Sequence, residues 1–118
     1  MAVERKRIPA RFYRTDSGSE PVRERLKSLD KQDRLLIGTD IKTVEYGWPI
    51  GMPVCRPMGT GIYEVRTTLP GERIARVLFC VAGGEMILLH GFMKKSQKTS
   101  KSDLDLATDR RRRLEAGK

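Results

Sequence analysis

A chain of 118 residues, of which 38% are hydrophobic and 33% charged, has the size and composition of one folded, soluble domain and not those of a disordered chain. Its 24 lysines and arginines against 15 acidic residues give a net charge of +9, which favours nucleic acid, an anionic membrane or an acidic protein as the partner. Because no apolar run reaches membrane-span length and no signal-peptide core follows the N-terminus, we expect a single cytoplasmic domain over residues 1–118, with no membrane partner.

The chain is predicted to begin with a strand and a helix. Residues 8–14 favour a short strand, and residues 15–19 are turn-forming. Ser19 is the predicted N-cap of the first helix, with Pro21 in the first turn, where the missing amide hydrogen costs nothing.

A second helix is predicted to complete a helical hairpin. Asp30 is its expected N-cap, and the helix runs to about Tyr46 before Gly47 ends it. The glycines and prolines of residues 47–61 indicate a structured connection, neither a helix nor a central strand. Trp48 is expected to pack this connection onto the rest of the domain.

Three strands are predicted to follow, over Ile62–Leu69, 74–81 and Glu85–Lys94. Gly83 and Gly84 are a strong hairpin signal between the second and third of these. Because the connections are short, the three strands should form an antiparallel meander.

A final helix is predicted to start near residues 99–103, which are rich in N-capping side chains. The arginines 110–113 then lie near its C-terminus, where the helix dipole stabilises positive charge. We interpret them as a solvated helix end, with contact to RNA or a partner as the alternative. The predicted fold is therefore α+β: an N-terminal strand, a helical hairpin, a three-strand meander and a C-terminal helix, with the helices against one sheet face.

Arg76 is a candidate functional residue because it lies within the most apolar predicted strand. A central strand rarely carries an arginine unless the side chain pairs with an acid or faces a groove. An ion pair with Glu64 on the neighbouring strand is the structural alternative, and the residues alone leave both interpretations open.

A basic groove is predicted where Lys94, Lys95 and Lys98 follow the third strand and join Arg66 and Arg76. Such a groove would hold phosphates and stabilise the charge of a phosphorane transition state. The alternative is a solvated lysine run at a strand end.

His90 is the only histidine, and a packing role competes with a catalytic one. One histidine and two separated cysteines predict no zinc site, and no cofactor is expected. Strict alternation along the third strand would place these residues on one face: Met86, Leu88, His90, Phe92 and Lys94.

Four segments, residues 47–53 (GWPIGMP), 62–66 (IYEVR), 76–79 (RVLF) and 87–99 (ILLHGFMKKSQKT), resemble the RelE/ParE toxin superfamily, and most closely its phage-derived, HigB-like branch. The resemblance implies a RelE-like fold and the toxin of a type II toxin–antitoxin pair. It further implies a ribosome-dependent mRNA endoribonuclease in which the 2′-hydroxyl attacks the adjacent phosphate. By position, the implied catalytic residues are Arg66, Arg76 and Lys95, with Lys94, Lys98 and His90 in secondary or RNA-binding roles.

The partners implied by the resemblance are the ribosome, mRNA and a helix-turn-helix, HigA-like antitoxin. The chain departs from RelE at Glu64, where RelE has a basic residue, and has no tyrosine after the last strand. A ParE-like inhibitor of DNA gyrase and a non-catalytic phage-derived binding module therefore stay as alternatives. For the nuclease, Arg76→Ala is expected to abolish toxicity without unfolding the protein.

Overall fold

The computed structural model describes residues 5–94 and 99–117, and the α+β prediction is confirmed. The elements, in chain order, are β1 (Ala10–Phe12), α1 (Pro21–Lys27), α2 (Lys31–Gly47), β2 (Cys55–Gly59), β3 (Ile62–Leu69), β4 (Arg73–Ala82), β5 (Glu85–Lys94) and α3 (Lys101–Ala116). Within the described residues, no helix is both long enough and apolar enough to cross a membrane.

The five strands form one mixed sheet in the order β1-β5-β4-β3-β2. The antiparallel meander β3-β4-β5 is confirmed, and β1 adds to it in parallel alongside β5. The edge strand β2, antiparallel to β3, was not predicted, because its sequence contains Pro57 and ends at Gly59. An edge strand tolerates a proline because one side of its backbone needs no partner.

Both faces of the sheet are covered, and the prediction of helices on one face was wrong. Val77 and Phe79 of β4 belong to the core with α1 and α2, whereas the alternate residues Leu78 and Cys80 pack with Ala107 of α3. A strand that is apolar on both sides needs cover on both sides, so α3 lies opposite the helical hairpin.

A β-bulge in β5 breaks the strict alternation predicted for that strand. Leu78 is opposite His90 but Phe79 is opposite Leu88, so β5 contains one extra residue at this point. The bulge puts Leu88 in the core under α1 and α2 and Phe92 in the core under α3, although alternation had assigned them to one face.

The first helix starts one residue later than predicted, with Glu20 at the N-cap and Pro21 in the first turn. Ser19 does not cap it, since its hydroxyl lies 2.8 Å from that of Thr15 and closes the preceding turn. Side-chain hydrogen bonding within the turn has therefore replaced the predicted cap.

The second helix has Asp30 at its N-cap as predicted, but Gly47 is its last residue and Trp48 its C-cap. Trp48 has φ −56° and ψ 137°, an extended conformation, and Pro49 after it has no amide hydrogen with which to continue the helix. The proline, and not the glycine, therefore ends the helix. The predicted packing role of Trp48 is confirmed, because its ring meets that of Tyr63 edge-on at 4.8 Å.

Candidate functional site

A buried ion pair joins β3 to β4 on the sheet face that α3 covers. The side chains of Glu64 and Arg76 are both 0% exposed, and Nη1 of Arg76 donates to the two carboxylate oxygens at 3.1 and 3.3 Å. The register places Arg66 directly opposite Arg76, so Glu64 is the diagonal neighbour of Arg76. The ion pair proposed as the structural alternative for Arg76 is thus confirmed.

Thr99 connects this ion pair to the chain that leads into α3. Its hydroxyl donates to Oε2 of Glu64 and accepts a hydrogen bond of 3.2 Å from Nη1 of Arg76. We call these residues the Glu64 cluster: Glu64, Arg66, Arg76 and Thr99. Thr99 was not predicted as a site residue, although it is the last residue of segment 87–99 of the resemblance.

Arg66 is the arginine of the cluster that reaches open space. Its side chain is 19% exposed, and its Nε lies 3.9 Å from Oε1 of Glu64, at the outer limit of an ion pair. Arg66 is also one of the residues that line a groove of about 520 Å³ between α2 and β3, with Leu36, Met52 and Thr68, but its side chain extends from the face that α3 covers. Because part of the Arg66 side chain is exposed, a ligand can approach it, whereas the buried side chain of Arg76 is out of reach in this conformation.

Arg56 is a further basic residue beside the cluster. It lies on β2 directly opposite Glu64, so its side chain emerges on the same face of the sheet, and it is exposed. Arg56 was not predicted as a site residue because no strand was predicted over residues 55–59. The sequence contained one signal, an apolar Cys55 followed by a charged Arg56, as in a strand with one buried face. Pro57 and Gly59 made that signal too short to predict a strand.

His90 links β5 to the start of α3. Its Nε2 lies 2.8 Å from Oδ1 of Asp103, and Oδ2 of the same carboxylate accepts a 2.6 Å hydrogen bond from Ser100, the N-cap of α3. The ring, in a side chain that is 15% exposed, also stacks on Phe92 with centroids 5.2 Å apart. The carboxylate therefore fixes the orientation of the imidazole, a feature that a structural residue and a proton acceptor share.

Two residues of the predicted arginine run hold α3 on the sheet and are not a solvated helix end. Arg110 donates to the carbonyl of Leu89 at 2.8 Å, and burial lowers the pKa of its guanidinium. Arg111 donates to the carbonyl of Thr60 at 2.6 Å. The outer part of the run agrees better with the prediction, since Arg112 is exposed.

The predicted lysine groove is covered by the structure only in part. Lys94 is the last residue of β5, opposite Ile74, but its side chain is not described. Lys95 and Lys98 lie outside the described residues. Of the three predicted catalytic residues, the structure therefore brings Arg66 and Arg76 together, and Lys95 stays a prediction.

The thiol of Cys55 should make the free energy of unfolding of the protein depend on pH. Burial, and then the charge of Glu64, raise the pKa of this thiol from 9.0 to about 11. The folded state keeps the thiol proton to higher pH than the unfolded chain does. The contribution of the buried thiol to the free energy of unfolding is therefore complete below pH 9 and is lost as the pH rises to 11. The expected loss is about 3 kcal/mol of unfolding free energy.

Urea unfolding of the wild type and of Cys55→Ala across this pH range measures the effect. Lysine and tyrosine titrations are common to both proteins, so the difference between the two curves isolates the thiol. The stability gap should narrow between pH 9 and pH 11. Parallel curves would contradict the assignment.

The fold and the site define a class: a basic α+β domain, broadly RelE-like, with arginines on one face of a mixed sheet. The profile of the family described as Phage derived protein Gp49-like (DUF891) matches residues 24–112, three quarters of the chain. The chain therefore belongs to the Gp49-like family of phage-derived proteins, which includes RelE-like toxins of toxin–antitoxin systems. No curated protein matches the chain.

Proposed function

We propose that this protein is the toxin of a type II toxin–antitoxin pair and that it cleaves mRNA on the ribosome. The observation that carries the proposal is Arg66, an arginine whose side chain is partly exposed on a sheet of the expected fold. Membership of the Gp49-like family and the net charge of +9 support an RNA target. The HigB-like character implied by residues 87–99 is part of this proposal.

In the proposed reaction the ribose 2′-hydroxyl loses its proton to water and its oxygen forms a bond to the adjacent phosphorus. The bond from phosphorus to the 5′-oxygen of the next nucleotide breaks, and that oxygen takes a proton from water, which leaves a 2′,3′-cyclic phosphate and a 5′-hydroxyl. Negative charge builds on the phosphoryl oxygens as the phosphorus becomes five-coordinate. Arg66 offers two parallel N–H donors to these oxygens, which suits a bidentate contact. Lys95 is proposed as a second cation at the same phosphate, with Lys94, Lys98 and His90 in secondary contacts to the RNA.

Because Arg76 is buried, its proposed role is positioning and not direct contact with the phosphate. A side chain that is 0% exposed does not touch a bound phosphate in this conformation. We assign it to positioning: it fixes the carboxylate of Glu64, and that carboxylate in turn lies 3.9 Å from Nε of Arg66. Arg76 thus limits the directions in which the Arg66 guanidinium can point.

A cognate antitoxin is the proposed protein partner, with the helix-turn-helix, HigA-like architecture that the resemblance implies. A chain of net charge +9 favours an acidic partner. Covering the exposed part of the Arg66 side chain would exclude a phosphate from it.

One observation favours the gyrase alternative. Glu64 and Arg76 neutralise each other in the interior, so two positions that could have carried accessible positive charge contribute none. A protein that inhibits gyrase needs no phosphate-activating residues on the sheet. The two functions differ in the molecule that is damaged, which makes them separable in one experiment.

The deciding measurement is a map of mRNA 5′ ends after brief expression of the protein, with one reporter made with and without its start codon. We expect cuts in the translated reporter alone, since the proposed cleavage needs a ribosome on the message. Cuts in both reporters would indicate a free ribonuclease. Intact reporters together with loss of supercoiling activity by purified gyrase would replace the nuclease with the alternative.

A further inference from the structure

Arg56 has a charge that the structure leaves available to a ligand. Among residues 5–94 and 99–117, its side chain forms no hydrogen bond and no ion pair, and it is exposed. The pairing of β2 with β3 fixes its position directly across from Glu64 and diagonally from Arg66. Its place on the sheet face is therefore set by the backbone and does not depend on a flexible loop.

The nearest acid does not neutralise Arg56. Both carboxylate oxygens of Glu64 accept from the buried Nη1 of Arg76, and one also accepts from the hydroxyl of Thr99. That carboxylate is 0% exposed, and among the described residues no ion pair joins it to Arg56 on the edge strand. The rim of the face thus has two guanidinium groups, Arg56 and Arg66, above an acid whose oxygens are already occupied.

We propose that Arg56 is a second phosphate-binding residue, which holds the RNA backbone at a phosphate next to the one at Arg66. Diagonal neighbours on adjacent strands lie about 7–8 Å apart, a spacing that lets two arginines bind successive phosphates of an extended strand. The inference rests on the proposed function for the identity of the strand as RNA and for the phosphate at Arg66. Arg56 supplies binding and not chemistry, because it lies one position further toward the sheet edge.

The test is the salt dependence of binding to a single-stranded 2′-O-methyl RNA, which lacks the attacking hydroxyl and so stays intact. Arg56→Gln should bind about tenfold more weakly at low salt, as expected for one lost charge-assisted contact. The slope of log K against log salt should fall in magnitude by about 0.7, the value for one phosphate of a single strand. Arg56→Lys should recover the slope, because it retains the charge.

Arg34→Gln is the matched control. Arg34 is an exposed arginine on α2, behind the opposite face of the sheet, and its loss lowers the net charge by the same unit. An Arg56→Gln slope equal to that of Arg34→Gln would overturn the phosphate site. So would an Arg56-dependent slope seen with duplex DNA of equal length but not with the RNA.

The two proposals fail in different ways. If the wild type shows the Arg56-dependent slope yet leaves every reporter mRNA intact, the nuclease is wrong and the RNA-phosphate site stands. If the wild type cuts translated mRNA but Arg56→Gln binds and cuts as Arg34→Gln does, the nuclease stands and the site is wrong. Absence of RNA binding by the wild type would overturn the phosphate site, while the nuclease is decided by the reporter map alone.

Discussion

Replacing Arg76 with methionine is expected to destabilise the protein by about 3–5 kcal/mol, because it leaves the buried carboxylate of Glu64 without its oppositely charged partner. The two side chains are 0% exposed, so bulk solvent does not reach the carboxylate to replace the lost guanidinium. Arg66, at 3.9 Å, compensates little, since a contact of that length gains far less than the bonds of 3.1 and 3.3 Å that are lost.

Replacing the unpaired carboxylate with a neutral side chain should recover most of the lost stability. In the double variant Glu64→Gln, Arg76→Met, the interior holds a neutral amide that the hydroxyl of Thr99 still reaches. Urea unfolding of the two single variants and the double variant gives a coupling free energy, expected at about 2 kcal/mol or more for a buried charged pair. Arg56→Met is the control on the same sheet face, and it should leave stability within about 0.5 kcal/mol.

A loss below about 1 kcal/mol in Arg76→Met would mean that Glu64 is solvated or protonated in solution, contrary to the buried pair. The expected result also changes how activity data are interpreted. Arg76→Ala was expected to abolish toxicity with the fold intact, but an inactive Arg76→Ala protein would be explained by unfolding alone. A role in positioning has to be tested in the charge-neutral double variant.

Local periodicity and turn signals were sufficient to predict the three helices and every strand except β2. Ile37, Ile41 and Val44 recur at helical spacing, and all three lie in the core under the hairpin. The meander followed from short connections and a Gly-Gly turn, and its pairing is antiparallel throughout. These features depend on neighbours within one turn or one hairpin, which is the range over which a single sequence carries physical information.

The features that the sequence did not predict depend on contacts between distant parts of the chain. The extra residue of β5 between the pairs Leu78–His90 and Phe79–Leu88 has no signal within the strand itself. The burial of Arg76 depends on Glu64, twelve residues earlier, and on Thr99, twenty-three residues later. An arginine in a strand indicates that something must compensate it, but not whether the result is a closed ion pair or an accessible site.

The structure tests only the geometry of the predicted site, and the catalytic roles of Arg66, Arg76 and Lys95 stay predictions. Arg66 and Arg76 lie directly opposite each other on β3 and β4, and the ion pair of Arg76 with Glu64 is present. The two arginines differ in exposure, since the side chain of Arg76 is 0% exposed and that of Arg66 is 19% exposed. Arg66 is therefore the residue at which a loss of function would report on chemistry.

Arg66→Gln is expected to reduce mRNA cleavage by about 100–1000-fold, the range for loss of one preorganised donor to a developing oxyanion. Its fold should persist, because the side chain is partly exposed and its contact with Glu64 is a long one that contributes at most about 1 kcal/mol. Arg66→Lys should retain part of the activity, since the ammonium preserves the charge but cannot form the bidentate contact. Cleavage of the translated reporter, measured at equal amounts of folded toxin, gives the comparison.

The control for charge is again Arg34→Gln, which removes one cation on α2 and should cleave at the wild-type rate. The urea midpoints of Arg66→Gln and the wild type, measured in parallel, separate chemistry from folding. A folded Arg66→Gln toxin that cleaves within threefold of the wild type would remove Arg66 from the reaction. It would move the phosphate-activating role to the lysines that follow β5, because Arg76 is buried too deeply to take it over.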